Sequence, residues 1–97
     1  MITPETVAAA FRPLRLPESR RRSEGWVVCW ARREESRQHF PGPQETVRAW
    51  YVPGRDGELA RVRAGRAVEG MRRAAEREGW RVVPVPPLGL LIAGFRR

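Results

Sequence analysis

Apolar residues follow two different spacings along this chain, and the two spacings predict alternating strands and helices. Residues 26–32 form an apolar run rich in β-branched and aromatic side chains, which is typical of a strand. One face of this strand carries Trp26, Val28 and Trp30, and the other carries Val27, Cys29 and Ala31. A strand with two apolar faces is expected in the interior of a sheet that is covered on both sides.

Three more segments have the composition of strands. In WRVVPV, Pro84 lacks a backbone N–H, so this strand is expected at a sheet edge. The segment LGLLIAGF is apolar on both faces and is expected in the centre of the sheet. Residues 44–52 fit either a strand or a helix, because Val47, Trp50 and Tyr51 also share one helical face. The strand interpretation is favoured for this segment.

A helical period runs through residues 57–78, which Asp56 can cap at the start and Gly79 can end. One side of this helix carries a stripe of small and apolar side chains, which is expected to pack on a sheet. Leu59 and Val62 lie outside this stripe. The stripe consists of Ala60, Ala64, Ala67, Val68, Met71, Ala74 and Ala75. A shorter helix is predicted at 1–11, where Thr3 can act as the cap and Pro4 suits the first helical position.

Together these elements predict an α+β fold with the order α-β-β-α-β-β. The sequence EGWVV at 24–28 is similar to EGWRVV at 78–83, which suggests that the chain consists of two similar helix–strand–strand halves. A four-stranded antiparallel sheet with both helices on one face satisfies this order. If 44–52 is helical, the order becomes α-β-α-α-β-β, as in a winged helix. The long loop after the first helix and the short PPLG link count against that alternative.

The length of 97 residues suits one domain. Within 1–97 we expect a helix at 1–11, a basic loop at 12–25 and a hairpin at 26–53. A helix at 57–78 and a C-terminal hairpin at 80–96 follow. Residues 33–36 are expected to form a polar turn, after which RQHF pairs back.

Charge adds the first information about function. All 19 basic residues are arginine, which is typical of a GC-rich bacterial genome, but the net charge of +8 does not follow from codon usage. Residues 58–97 carry nine arginines against four acids and account for most of the surplus. A small domain of this charge attracts polyanions, so DNA or RNA is the expected partner.

Several kinds of chemistry are disfavoured by the composition. With a single histidine, cysteine and aspartate, the chain offers few ligands, so no metal or other cofactor is expected. Gly65 and Gly70 have the spacing of a phosphate-binding loop, but Met71 and Arg72 replace its Lys-Ser/Thr pair. Cys29 is expected to be a buried thiol. Neither a secretion signal nor a membrane span is indicated, which leaves a cytoplasmic protein as the expectation.

An arginine row on the long helix is the sharpest functional pattern. Its members follow spacings of three and four residues and fall within about 80° on a helical wheel. They are Arg63, Arg66, Gly70, Arg73 and Arg77. Together with the loop residues Arg20, Arg21 and Arg22, they predict a non-enzymatic nucleic-acid-binding protein that contacts phosphates. Glu69 and Glu76 lie beside the row, so a solvated face with internal ion pairs is the competing interpretation.

Two other functions remain open. The first is a protein-interaction module, such as the inhibitors and adaptors that phages and mobile elements encode, with Trp50 and Tyr51 exposed to an acidic partner. The second is a small ribonuclease that uses His39 with Arg37 nearby. Trp26 and Trp30 fit core positions better than base-stacking platforms.

Overall fold

The computed structural model describes residues 2–10, 24–40, 45–55 and 57–94. Seven elements follow one another in these segments: α1 (Pro4–Ala10), β1 (Gly25–Trp30), α2 (Arg33–His39), β2 (Thr46–Val52), α3 (Gly57–Arg77), β3 (Arg81–Val85) and β4 (Gly89–Ala93). The four strands form one sheet in the order β1-β2-β4-β3, and every neighbouring pair is antiparallel. The predicted α+β fold and its four-stranded antiparallel sheet are therefore confirmed.

The main core lies between one face of the sheet and the helices α1 and α3. Val47 and Ala49 of β2 point to this face, as do their partners Ile92 and Leu90 on β4. Ile2 and Val7 cover it from the N-terminal segment, and α3 covers it with Met71 and Ala75. All but Ile2, which is 5% exposed, are fully buried. Removal of this apolar surface from water fixes the position of α3 on the sheet.

Helix α3 follows the sequence pattern closely. Ala60, Ala64, Met71 and Ala75 of the predicted stripe are buried. Leu59 and Val62 are 70% and 52% exposed, as their positions outside the stripe require. The helix ends in a left-handed glycine cap: Gly79 has φ of 80°, and its N–H donates to the carbonyl of Glu76. The predicted cap Asp56 lies outside the described residues.

Helix α2 was not predicted, since residues 33–36 were expected to form a turn and RQHF to pair with the sheet. Glu34 and Glu35 in the first turn, with Arg37 and His39 in the last, complement the helix dipole and favour this short helix. Phe40 follows and is fully buried against Leu91 and Ala93. It thereby holds α2 on the face of the sheet opposite α1 and α3, where no helix was expected.

The position of β1 also differs from the prediction. Among the described strands it pairs with β2 alone, so it is an edge strand and not an interior one. Val27 is 39% exposed and Trp30 48% exposed. Cys29 is half-buried and therefore not the buried thiol that was expected. The predictions of a strand for β2, an edge position for β3 and a central position for β4 are confirmed.

Candidate nucleic-acid interface

Three arginines of the predicted row lie on the outer face of α3. Arg66, Arg73 and Arg77 are exposed and fall within about 40° of one another on the helical wheel. They lie roughly opposite the buried alanines, so their side chains extend away from the sheet. From the first to the last, the row rises about 16 Å along the helix axis. We call these three residues the α3 arginine strip.

Arg63, the first member of the predicted row, has a different environment. Its Nε donates a hydrogen bond of 3.2 Å to Oε2 of Glu24, and its side chain is only 23% exposed. The Glu24 carboxylate is 1% exposed and also accepts a 2.6 Å hydrogen bond from the hydroxyl of Tyr51. Arg63 thus connects α3 to the start of β1 and to β2. It is a poor candidate for contact with a ligand in solvent.

The carboxylates beside the strip pair mainly with Arg72. This guanidinium donates to both Glu69 and Glu76, whereas Arg73 donates a longer bond of 3.3 Å to Glu69. The hydrogen bond from Arg72 lowers the pKa of Glu69, because it stabilises the charged carboxylate. The same contact raises the pKa of Arg72. The competing interpretation of internal ion pairs thus applies to Arg72 and in part to Arg73.

Arg66 and Arg77 differ from Arg72 in this respect. Neither forms an ion pair with any carboxylate of the described residues. Arg73 remains 70% exposed despite its contact with Glu69. A shallow open groove lies beside the C-terminal half of the strip, and it is lined by Gly70, Arg72, Arg73, Glu76 and Arg77. Gly70 contributes no side chain to the lining of this groove.

The opposite face of the sheet carries a smaller polar cluster. The guanidinium of Arg48 lies 5.4 Å from the centre of the Trp50 ring, a cation–π distance, and its Nη1 is 3.5 Å from Oε2 of Glu35. A buried hydrogen bond between the hydroxyls of Ser36 and Thr46 joins α2 to β2 beside this cluster. Trp50 is half-buried and reaches solvent in part.

Tyr51 lies on the other face of β2, so the prediction that it is exposed is wrong. It is 2% exposed, and its ring meets Trp26 edge to face, with 5.2 Å between the centroids. Trp26 packs against the main core, as its assignment to the core requires, whereas Trp30 remains 48% exposed at the edge of the sheet. Successive side chains of a strand point to opposite faces of the sheet, so Trp50 and Tyr51 cannot belong to one exposed surface on β2.

His39 is exposed at the last position of α2. No side chain of the described residues forms a hydrogen bond with its imidazole, so the structure brings no second catalytic group to it there. Arg20, Arg21 and Arg22 lie outside the described residues. Within the described part of the chain, no three His, Cys, Asp or Glu side chains come together as a metal site requires.

Glu24 was missed in the sequence, although it organises one end of the molecule. A single glutamate between a basic segment and a strand has no distinctive pattern, and Tyr51 and Arg63, which donate to it, are 27 and 39 residues away. The pairing of Ser36 with Thr46 was missed because α2 itself was not predicted. Only the folded arrangement of these elements makes either contact visible.

Comparisons with protein-family models, with curated proteins and with solved structures found no match to this chain. Of the helices in the described ranges, none combines the length and the apolar character needed to cross a bilayer.

Proposed function

We propose that this protein binds nucleic acid without catalysing a reaction, and that the α3 arginine strip contacts the phosphates. One observation carries the proposal: Arg66, Arg73 and Arg77 extend from one side of a helix, while the neighbouring carboxylates are directed mainly to Arg72. The helix is held on the sheet by its buried stripe, so the three guanidinium groups have a rigid support. A cytoplasmic location, where DNA and RNA occur, is part of this proposal.

The spacing of the strip suits a phosphate backbone. Seven residues separate Arg66 from Arg73, a rise of about 10 Å, and four residues separate Arg73 from Arg77, a rise of about 6 Å. One strand of duplex DNA carries a phosphate roughly every 3.4 Å along its axis, so each guanidinium can reach a different phosphate. Contacts of this kind hold a duplex without reading its sequence, so little base specificity is expected.

The distribution of charge gives further support. The described residues contain twelve arginines and nine glutamates, a surplus of three. The remaining residues contain seven arginines and two acids, a surplus of five, which completes the net charge of +8. Arg20, Arg21 and Arg22 belong to the second group, and in this proposal they supply additional phosphate contacts.

A salt titration of duplex binding tests the proposal. In the triple variant Arg66→Gln, Arg73→Gln, Arg77→Gln, three phosphate contacts are lost, and the log–log slope of affinity against salt should become shallower by about 2.7. The matched control Arg33→Gln, Arg37→Gln, Arg55→Gln removes the same charge from exposed positions outside α3. It should lower the affinity modestly and leave the slope nearly unchanged. Equal slopes for the two triple variants would show that only net charge matters and that the strip is not the site.

A protein-interaction module is the second candidate, and one observation favours it. Leu59 and Val62 are exposed on the same outer face of α3 as the arginine strip, one to two turns before Arg66. Exposed apolar side chains next to arginines are typical of the centre and rim of a protein interface. In this case the partner is an acidic protein. Leu59→Ser with Val62→Ser should then abolish capture of that partner, whereas duplex binding by the strip would be unaffected.

A further inference from the structure

The outer edge of β1 has backbone groups that point away from the sheet. The N–H of Ala31 donates to the carbonyl of Thr46 at 2.9 Å, and the register continues from Trp30 opposite Val47 without a break. In an antiparallel pair, hydrogen-bonded and non-hydrogen-bonded positions alternate. Val28 and Trp30 therefore direct their N–H and C=O groups away from β2. Among the described residues these groups have no hydrogen-bond partner.

The two edges of this sheet are protected very differently. The edge strand β3 carries Arg81 and Pro84, a charge and a residue without an N–H, and both discourage pairing with another chain. The sequence of β1, GWVVCW, has neither a charge nor a proline, and its regular register with β2 contains no bulge. Val27 on one face of this strand and Trp30 on the other both expose apolar surface. No strand of the described residues pairs with this edge, and natural proteins usually protect edges of this kind.

We propose that β1 pairs antiparallel with β1 of a second copy of this chain, to form a symmetric dimer with one continuous eight-stranded sheet. The twofold axis passes beside Cys29, so that Val28 of each copy lies opposite Trp30 of the other. This register pairs the outward N–H and C=O groups of both residues. It also places the exposed ring of Trp30 against apolar side chains of the second copy.

The uncharged sequence of β1 allows a second copy to pair there, whereas an acidic partner is expected at the arginines of α3. Two molecules of net charge +8 repel at most of their surfaces, but β1 brings no charged side chain to the contact. An acidic partner, in contrast, would be drawn to the arginines of α3. The edge of β1 is moreover complementary to itself, since an antiparallel pair of identical strands matches donors with acceptors across a twofold axis.

A substitution at Val28 separates strand pairing from folding. Proline at this position removes an N–H that does not belong to the β1–β2 ladder, and edge strands tolerate proline there. Val28→Ala is the matched control, because it shortens the same side chain and keeps the N–H. Sedimentation equilibrium without nucleic acid should give a dimer for the parent and for Val28→Ala. Val28→Pro removes one backbone hydrogen bond from each of the two copies, so the dissociation constant of the dimer should rise about thirtyfold.

Cys29 reports the register of the pair. It occupies a non-hydrogen-bonded position opposite Cys29 of the second copy, where Cα atoms are about 4.5 Å apart and a disulfide can form. Diamide takes up the two protons and two electrons of the thiols, and it should link parent dimers covalently but not Val28→Pro. A parent protein that stays monomeric, a dimer that persists in Val28→Pro, or a dimer that diamide fails to link would each overturn the proposal. None of these measurements depends on nucleic-acid binding.

Discussion

Replacement of Tyr51 by phenylalanine removes one oxygen atom from the buried contact that joins β1, β2 and α3. The hydroxyl of Tyr51 donates to Oε2 of Glu24 at 2.6 Å, and both side chains are almost fully buried. The ring can keep its edge-to-face contact with Trp26 in the variant. Among the contacts within the described residues, the hydrogen bond to Glu24 is the one that this change is designed to remove.

The expected loss of stability is large for a single atom. A hydrogen bond to a charged group contributes about 1.5–3 kcal/mol, and a buried carboxylate that loses a donor is poorly solvated. We therefore expect Tyr51→Phe to lower the free energy of unfolding by about 2 kcal/mol. For a domain of this size, a change of that magnitude corresponds to a fall in Tm of roughly 8–16 °C.

Urea unfolding followed by tryptophan fluorescence measures this loss of stability. A double-mutant cycle with Glu24→Gln tests whether the loss comes from the contact between Tyr51 and Glu24. If the hydroxyl acts through Glu24, the double variant should lose less stability than the sum of the two single losses, by about 1 kcal/mol or more. A loss below about 0.5 kcal/mol for Tyr51→Phe, or strict additivity in the cycle, would refute this account of the contact. The salt dependence of DNA binding should not change, because Tyr51 does not reach the α3 arginine strip.

Variants at Glu76, Phe40 and His39 examine other parts of the molecule. Glu76→Gln removes an acid from the groove beside the strip, so gel-shift titrations should show tighter duplex binding, and weaker binding would argue against that groove as the site. Phe40→Ala empties the site that holds α2 on the sheet and should cost about 3–5 kcal/mol of stability in urea unfolding, whereas a loss under about 1 kcal/mol would show that α2 is held by other contacts. His39→Ala should leave the stability and DNA binding unchanged, and a loss of RNA cleavage in that variant would instead establish the ribonuclease alternative.

The sequence predicted those elements whose side-chain period is strong and local. The stripe from Ala60 to Ala75 identified the buried face of α3, and the same wheel placed Leu59 and Val62 in solvent. Pro84 gave the edge position of β3 because a missing donor disfavours a central strand. The similar segments 24–28 and 78–83 also occupy similar places in the structure, since the first contains the start of edge strand β1 and the second the start of edge strand β3.

Pairing order and long-range contacts were beyond the sequence pattern. The apolar residues of β1 resemble those of a central strand, but an apolar pattern reports only which side chains avoid water and not how many strands lie alongside. Helix α2 is too short for a hydrophobic period, and it depends on Phe40 packing against β4. The contact between Arg63 and Glu24 crosses 39 residues, so no local spacing indicates that this arginine turns inward.

The position of each arginine matters more for the proposed function than the number of arginines. Helix α3 carries six arginines and three glutamates, yet Arg63 is directed to Glu24 and Arg72 to two carboxylates of its own helix. Both guanidinium groups therefore use hydrogen-bond donors on carboxylates of the protein itself. Glu69 and Glu76 lie between Arg72 and the strip on the helical wheel, and their ion pairs with Arg72 offset part of their negative charge. In the proposed function, Arg66, Arg73 and Arg77 therefore supply the phosphate contacts although the helix has a net charge of only +3.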